Sequence, residues 1–222
     1  MKIEGHKHNV IKIIAAVTFI LIAVFSVIFN VNILNVLPLF ISIFIMFLQS
    51  RVNRYAFLLG SINSILYAVA YFYMTLYSTA LYALLVSFPI QIFTFFNWKK
   101  NTQNGRTETK SLSARARIIM FASMALVWLV FFLIFSAFNS TYLIFDNTIS
   151  VIGIVTSILC AFRFSEYAIL QAASTIANLI LYGFMVSDDI SKIVWLIFSI
   201  YSAMCSIIAF ININKQSKEK LQ

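Results

Sequence analysis

Long apolar segments, each close to the length of a membrane-spanning helix, fill most of this chain. A helix needs roughly 20 apolar residues to cross the hydrocarbon core of a bilayer. Only 10% of the residues are charged, against about 25% in water-soluble domains, and the mean hydropathy is +0.94. The 5 glycines and 2 prolines favour helices over a turn-rich barrel. The sequence predicts an all-α integral membrane protein with eight transmembrane helices, at about Val10–Phe29, Leu34–Gln49, Tyr55–Tyr73, Thr79–Trp98, Ile118–Phe138, Thr148–Phe162, Tyr167–Met185 and Ile193–Ile213.

The positions of the basic residues support this count and orient the helices. If the N-terminus is cytoplasmic, all 16 Lys and Arg residues except Lys192 fall on the cytoplasmic side. Cytoplasmic loops of membrane proteins carry such an excess. Fusing the first two segments into one helix would leave the three N-terminal lysines outside. We therefore expect eight spans in the bacterial plasma membrane, with both termini cytoplasmic and a first helix that is retained rather than cleaved as a signal peptide.

A sequence repeat divides the chain into two halves. Asn63–Tyr67 reads Asn-Ser-Ile-Leu-Tyr, and 115 residues later Asn178–Tyr182 reads Asn-Leu-Ile-Leu-Tyr. The same offset pairs Asn97 with Asn212, near the end of each half. Three helices reverse the direction of the chain and a single linking helix restores it, so the two copies have the same orientation. Parallel repeats of this kind occur in transporters, with the substrate between the halves.

The repeat and the most basic loop set the expected organisation. Residues 1–30 form a tail and an extra first helix, and residues 31–98 form the first three-helix repeat. Residues 99–145 form a basic cytoplasmic loop and the linker helix, and residues 146–222 form the second repeat and a cytoplasmic tail. The loop Lys99–Arg117 carries six basic residues. The positive-inside rule accounts for this charge, and an anionic-lipid or partner-binding patch is the alternative.

Polar amides inside the apolar segments are the candidate site residues. Asn63 and Asn178 occupy equivalent positions in the repeat, and Gln91 and Gln171 add two further amides. Polar groups are expensive inside a membrane and indicate a functional site, although amides also tie one membrane helix to another. Tyr67 and Tyr182 lie four residues beyond the two asparagines, on the same helix faces, where their rings can stack on a flat ligand.

These stretches resemble the PnuC family of bacterial vitamin transporters, which is typified by nicotinamide riboside uptake. The similarity covers roughly residues 38–215. It rests on motifs at Phe57–Tyr67, Phe88–Phe93, Trp98–Lys100, Asp146–Thr148, Arg163, Glu166, Asn178 and Tyr182. The resemblance implies a fold like that of the SWEET sugar transporters: two three-helix bundles joined by a linker helix, in a homo-oligomer that is often a trimer. It also implies that the imported vitamin is trapped by a cytosolic kinase.

One departure from the family concerns the ring of the ligand. The family commonly has a Trp-x-x-Trp pair just after the acidic residue that opens the seventh span, and these aromatics sandwich the ring. This chain has Tyr167 and Leu170 there, so Tyr167 joins the candidate residues as the one retained aromatic. Thiamine, riboflavin or a deoxynucleoside therefore stand as alternative cargoes. The large aromatic Trp98, which lies at a helix end beside two lysines, is interpreted as a membrane-interface residue.

The sequence lacks the groups that coupled transport or catalysis would need. All seven acidic residues lie in loops or at helix ends, so no carboxylate is placed mid-span to carry a proton or bind sodium. Motifs for nucleotide hydrolysis, nucleophilic catalysis or metal binding are absent from the sequence. We expect facilitated uptake of a small molecule, with lipids as neighbours and no enzyme activity, cofactor, metal or nucleic-acid partner. A membrane sensor or scaffold subunit, docking a partner through the basic loop, is the alternative from another functional class.

Overall fold

A computed structural model of the chain describes residues 2–103, 106–107, 109–138 and 140–218. Within these ranges the side chains of residues 2–10, 102–103, 106–107 and 214–218 are not described. Several basic groups used in the orientation argument therefore lie outside the described side chains, namely Lys2, Lys7, Arg106, Lys215, Lys218 and Lys220.

The described chain is helical apart from a two-stranded hairpin in the basic loop, β1 (Thr102–Gln103) and β2 (Arg106–Thr107). The helices are α1 (Lys2–Ile28), α2 (Ile33–Ser50), α3 (Tyr55–Tyr73), α4 (Tyr77–Leu81), α5 (Phe88–Lys100), α6 (Ala114–Ser136), α7 (Leu143–Ala161), α8 (Tyr167–Asp188) and α9 (Ile193–Lys218). A π-helical segment, Tyr82–Ser87, joins α4 and α5 into one span, Tyr77–Lys100. A single 3₁₀ turn, Ile190–Lys192, precedes α9. Within the described ranges, eight spans are long and apolar enough to cross a membrane, which confirms the predicted all-α, eight-span fold.

Local signals explain where several helices begin. The side chain of Asn32 caps α2 by accepting the Leu34 amide hydrogen at 2.9 Å, and the hydroxyl of Ser113 caps α6. Each cap satisfies a backbone N–H that has no partner within its own helix. The N-terminus of α4 is different, because its N-cap residue Leu76 offers no side-chain acceptor. This helix end needs an acceptor from elsewhere in the fold.

We call α2, α3 and the span α4–α5 the first group of helices, and α7, α8 and α9 the second group. The two groups contact each other in a matched way. The span that ends in α5 packs on α7, and α9 packs on α2. Near the end of α5 the Asn97 amide donates to the Ala161 carbonyl oxygen at 2.7 Å. Near the end of α9 the Asn212 amide donates to the Ser50 carbonyl oxygen, also at 2.7 Å. The two asparagines that the sequence repeat pairs thus perform the same task in the packing.

The periphery and the centre of the bundle have opposite chemistry. Only 6% of the α6 span is buried, whereas 50% of the α7 span is buried, so α6 lies outside the two groups with its apolar side chains exposed. The buried polar residues lie instead on the helices that face each other, and include Ser42, Asn63, Ser64 and Ser87. A membrane protein can expose apolar groups to lipid, while its polar groups need partners inside. The polar centre is therefore where a ligand site belongs.

Candidate functional site

A polar cavity of about 210 Å³ lies between the two groups of helices. All six spans of the two groups contribute side chains to it, and we call it the central cavity. Its polar lining includes five amides and several hydroxyl groups, among them Ser42, Gln49, Asn63, Gln91, Gln171, Asn178 and Ser202. Five of the seven predicted site residues line this cavity: Asn63, Tyr67, Gln91, Gln171 and Asn178.

Two smaller spaces adjoin the central cavity. The loop-side chamber, about 120 Å³, extends toward the basic loop and is lined by Phe57, Trp98 and Tyr167. It shares Tyr82 and Gln171, among other residues, with the central cavity. The aromatic chamber, about 60 Å³, lies toward the opposite end of the bundle and is lined by Tyr67, Tyr71, Tyr182 and Trp195. The predicted residues Tyr167 and Tyr182 therefore line these flanking spaces rather than the central cavity.

Asn63 is both a structural tie and a possible ligand group. Its side chain is 1% exposed, and its amide nitrogen donates to the Pro38 carbonyl oxygen at 3.0 Å and to the Ser42 hydroxyl at 2.8 Å. The Ser42 hydroxyl in turn bonds the Tyr67 hydroxyl at 2.7 Å. The amide oxygen of Asn63 has no partner within the described chain. The donors thus hold α2 against α3, while the acceptor stays available to a ligand.

Gln91 is held against α3 by two hydroxyl groups. Its amide nitrogen donates to the hydroxyls of Ser64 at 2.9 Å and Ser87 at 2.7 Å. A Cβ atom at Gly60 would lie 1.9 Å from the side-chain oxygen of Gln91. Glycine at position 60 leaves room for the amide, so the observed position of the Gln91 side chain depends on Gly60.

The amides of the second group are less constrained. The Asn178 amide nitrogen donates to the Ser174 carbonyl oxygen one turn earlier, at 2.9 Å, so this bond holds no second helix. Gln171 lines both the central cavity and the loop-side chamber. The equivalence of Asn63 and Asn178 in the sequence therefore does not extend to their hydrogen bonds.

Four aromatic rings close the end of the cavity opposite the basic loop. Tyr67 and Tyr71 stack with centroids 5.3 Å apart, and the Trp195 ring lies 5.8 Å from Tyr67, 5.6 Å from Tyr71 and 5.4 Å from Tyr182. The indole of Trp195 is 1% exposed. From the sequence, Tyr71 can stack on a ring but is not selected, and Trp195 is interpreted as an interfacial or packing residue, because nothing local distinguishes either from the many other aromatic residues.

Trp98 and Leu170, which are not among the seven predicted site residues, differ in where they lie. The interpretation of Trp98 as a membrane-interface residue is wrong: its side chain is 1% exposed, and its indole N–H donates to the Cys160 carbonyl oxygen at 2.8 Å. The bond holds the end of α5 against the end of α7, which the neighbouring lysines could not indicate. Leu170, at the second position of the family's tryptophan pair, lines none of the three spaces.

Asp146 supplies the acceptor that α4 lacks. Its carboxylate is fully buried and accepts the backbone N–H groups of Ser78 at 3.0 Å and Thr79 at 2.9 Å, and the Ser140 hydroxyl at 2.8 Å. A carboxylate at a helix N-terminus satisfies unpaired N–H groups and complements the helix dipole. The contact joins α7 to α4, and therefore one group of helices to the other, at the end opposite the basic loop.

Outside the spans, the same end carries a tyrosine held by a carboxylate. The Tyr142 hydroxyl donates to the Asp188 carboxylate. This bond, with smaller contributions from burial and from the negative charge of Asp188, raises the pKa of Tyr142 to about 12. The hydrogen bond links the start of α7 to the end of α8.

In the part of the chain that the structure describes, eight apolar spans enclose a polar cavity between two helix groups, an arrangement typical of membrane transporters. The sequence profile of the family described as "Nicotinamide mononucleotide transporter" matches residues 32–213, and the chain belongs to this family. This confirms the predicted membership of the PnuC transporters.

A solved structure supports the fold independently. The chain titled "Crystal structure of the Vitamin B3 transporter PnuC" superposes with a TM-score of 0.79 at 21% sequence identity. The superposition covers 96% of the present chain and 93% of that chain. Among curated proteins, no sequence matches.

Proposed function

We propose that the protein mediates facilitated uptake of nicotinamide riboside, which binds in the central cavity and its flanking chambers. The observation that carries this proposal is the lining. Amides, hydroxyls and aromatic rings surround the three spaces, and none of the described side chains that line them is charged. An ionised phosphate moved into such a site without a cationic partner loses several kcal/mol of hydration. The lining therefore favours the riboside over the mononucleotide.

The aromatic chamber offers ring faces that can bind a positively charged ring. The pyridinium ring of nicotinamide riboside is a delocalised cation, and the faces of Trp and Tyr rings attract cations. The rings of Tyr67, Tyr71 and Tyr182 each lie 5.4 to 5.8 Å from the ring of Trp195, and Tyr67 and Tyr71 stack at 5.3 Å. Under this proposal they take the role that the tryptophan pair has elsewhere in the family.

The dimensions support a ligand with two parts. The central cavity, about 210 Å³, is smaller than the 300–1,000 Å³ typical of small-molecule pockets. A riboside whose ring enters the aromatic chamber would leave its ribose in the central cavity, near the amides of Asn63, Gln91 and Asn178. Their oxygen atoms can accept hydrogen bonds from the hydroxyl groups of a sugar, whereas the N–H donors of Asn63 and Gln91 are engaged within the protein.

Contacts at both ends of the bundle support alternating access. Asp146 bonds the start of α4 at one end, and Trp98 bonds the Cys160 carbonyl at the other. We propose that residues 31–98 and 146–222 rock as two halves, with residues 99–145 linking them, and that each contact breaks when its own end opens. The basic loop would face the bacterial cytoplasm, and the protein would assemble as a homo-oligomer, such as a trimer, in the plasma membrane.

The absence of charge in the described cavity lining also supports facilitation over ion coupling. Proton-coupled carriers use ionisable groups within the membrane, and the buried carboxylate of Asp146 is occupied by α4 and Ser140. Net uptake would then depend on phosphorylation of the riboside by a cytosolic kinase.

Binding to the purified full-length chain tests this function. Isothermal titration with nicotinamide riboside is expected to give saturable binding that weakens in Asn63→Leu and Asn178→Leu, whereas the mononucleotide gives none. Equal binding of the two compounds would rule out a site that excludes the phosphate group.

Thiamine is the second candidate, because Leu170 lies outside the three spaces and leaves the family's ring sandwich incomplete. Including thiamine, riboflavin and a deoxynucleoside in the same titration separates these cargoes. A sensor or scaffold role is excluded if the purified protein alone transports its ligand in vesicles.

A further inference from the structure

Trp195 carries a buried hydrogen-bond donor that the protein itself leaves without a partner. The side chain is 1% exposed, and its indole nitrogen has no acceptor within the described chain. Tryptophan can only donate through this group, and buried indole N–H groups usually find an acceptor. A donor left unpaired in the interior costs free energy that a bound ligand can recover.

The surroundings of this donor are shaped for a planar ligand. Trp195 packs against the rings of Tyr67, Tyr71 and Tyr182. The hydroxyl of Ser199, which also lines the chamber, donates to the backbone oxygen of Trp195 at 2.9 Å. Five of the nine residues that line the chamber are aromatic, and the other four carry hydroxyl or amide groups. A planar ligand with an acceptor at its edge would satisfy both the faces and the N–H.

We infer that Trp195 is a specificity-determining residue whose indole N–H binds the carbonyl oxygen of an uncharged carboxamide on the ring of the substrate. The inference rests on the proposed function and extends it. A ring carboxylate also offers acceptors, but its negative charge would enter a site whose described lining has no cationic side chain. Trp195 therefore selects the amide form of the pyridine riboside over both the acid form and a ring without the substituent.

A cycle of ligand and protein changes tests this contact. Affinities of the full-length chain are measured by titration for nicotinamide riboside and for pyridinium riboside, which lacks the carboxamide. Trp195→Phe is expected to weaken the binding of nicotinamide riboside about tenfold, because one hydrogen bond of typical strength is lost. The affinity for pyridinium riboside should fall much less, because this ligand has no carbonyl oxygen to accept the indole N–H. The difference between the two losses of affinity measures the contact.

Two further variants separate the N–H from the shape of the ring. Replacing Trp195 by benzothienylalanine, in which sulfur stands in place of the N–H, keeps the bulk of the side chain and should reproduce the selective loss. Trp128→Phe is the matched control, because this indole bonds the Thr148 hydroxyl and lines none of the three spaces. It should change neither affinity.

The outcomes distinguish this inference from the function on which it rests. Equal losses of affinity for both ligands in Trp195→Phe would mean that Trp195 only packs. Full affinity for nicotinamide riboside in the benzothienylalanine variant would mean the same. Either result would overturn the inference but not the proposed function. A wild-type chain that does not bind nicotinamide riboside would overturn the proposed function and the inference together.

Discussion

Removing the carboxylate of Asp146 gives the sharpest test of how the two helix groups are joined. In Asp146→Ala the backbone N–H groups of Ser78 and Thr79 lose their acceptor at the buried start of α4. The Ser140 hydroxyl keeps a partner, because it also donates to the Thr75 carbonyl oxygen at 3.0 Å. The variant therefore isolates the cost of leaving one helix end uncapped.

The expected loss follows from these contacts. Each buried N–H left unpaired costs about 1–3 kcal/mol, and loss of a negative charge at a helix N-terminus adds up to about 2 kcal/mol. Partial rearrangement of the helix end reduces the total, and we expect a destabilisation of about 3–5 kcal/mol. For a protein of this length, 1 kcal/mol corresponds to about 2–4 °C, so the Tm should fall by about 6–20 °C.

Thermal unfolding of the purified chain in detergent measures this loss. Asp146→Asn keeps one acceptor oxygen and should lose about half as much. Asp188→Ala is the control, because Asp188 is an exposed carboxylate and surface interactions of this kind contribute about 1 kcal/mol at most. A Tm for Asp146→Ala within about 2 °C of the wild type would refute the assignment of Asp146 as the cap of α4.

Two further comparisons use matched pairs within the chain. Gly60→Ala should displace the Gln91 amide and weaken riboside binding about tenfold in a titration, while Gly183→Ala, whose Cβ meets no atom within 4 Å, should leave binding unchanged. Similar affinities for both alanine variants would argue against a role of Gln91 in binding. Asn63→Leu should lower both transport and stability, by about 2–3 kcal/mol, because it breaks two bonds between helices. Asn178→Leu should lower transport with a stability loss of under about 1 kcal/mol, and equal losses of stability would contradict this difference.

The number of spans could be predicted because hydropathy and helix length are local properties and the membrane has a fixed thickness. The ends of the spans were less predictable. The segment expected to start at Thr148 begins at Leu143, because the buried carboxylate of Asp146 belongs to the helix rather than to the loop before it. The π-helical segment Tyr82–Ser87 left no sign in an apolar stretch that reads as one helix.

The amides of the site could be found because polar residues stand out in apolar helices and recur in the repeat. Their positions along the helix axes, and hence the spaces that they line, could not be predicted in this way. Tyr167 and Asn178 lie on one face of α8, but 11 residues separate them by about 16 Å along the helix axis, so they line different spaces. The roles of Trp98, Asp146 and Trp195 depend on which helices meet, and this information is not local to the sequence.

Uptake by proteoliposomes that contain only the purified protein tests the central claim most directly. Labelled nicotinamide riboside should enter until its internal and external concentrations are equal, without dependence on proton or sodium gradients, and excess mononucleotide should not compete. Accumulation above the external concentration when either gradient is imposed, or competition by the mononucleotide, would contradict a facilitator whose site excludes the phosphate group.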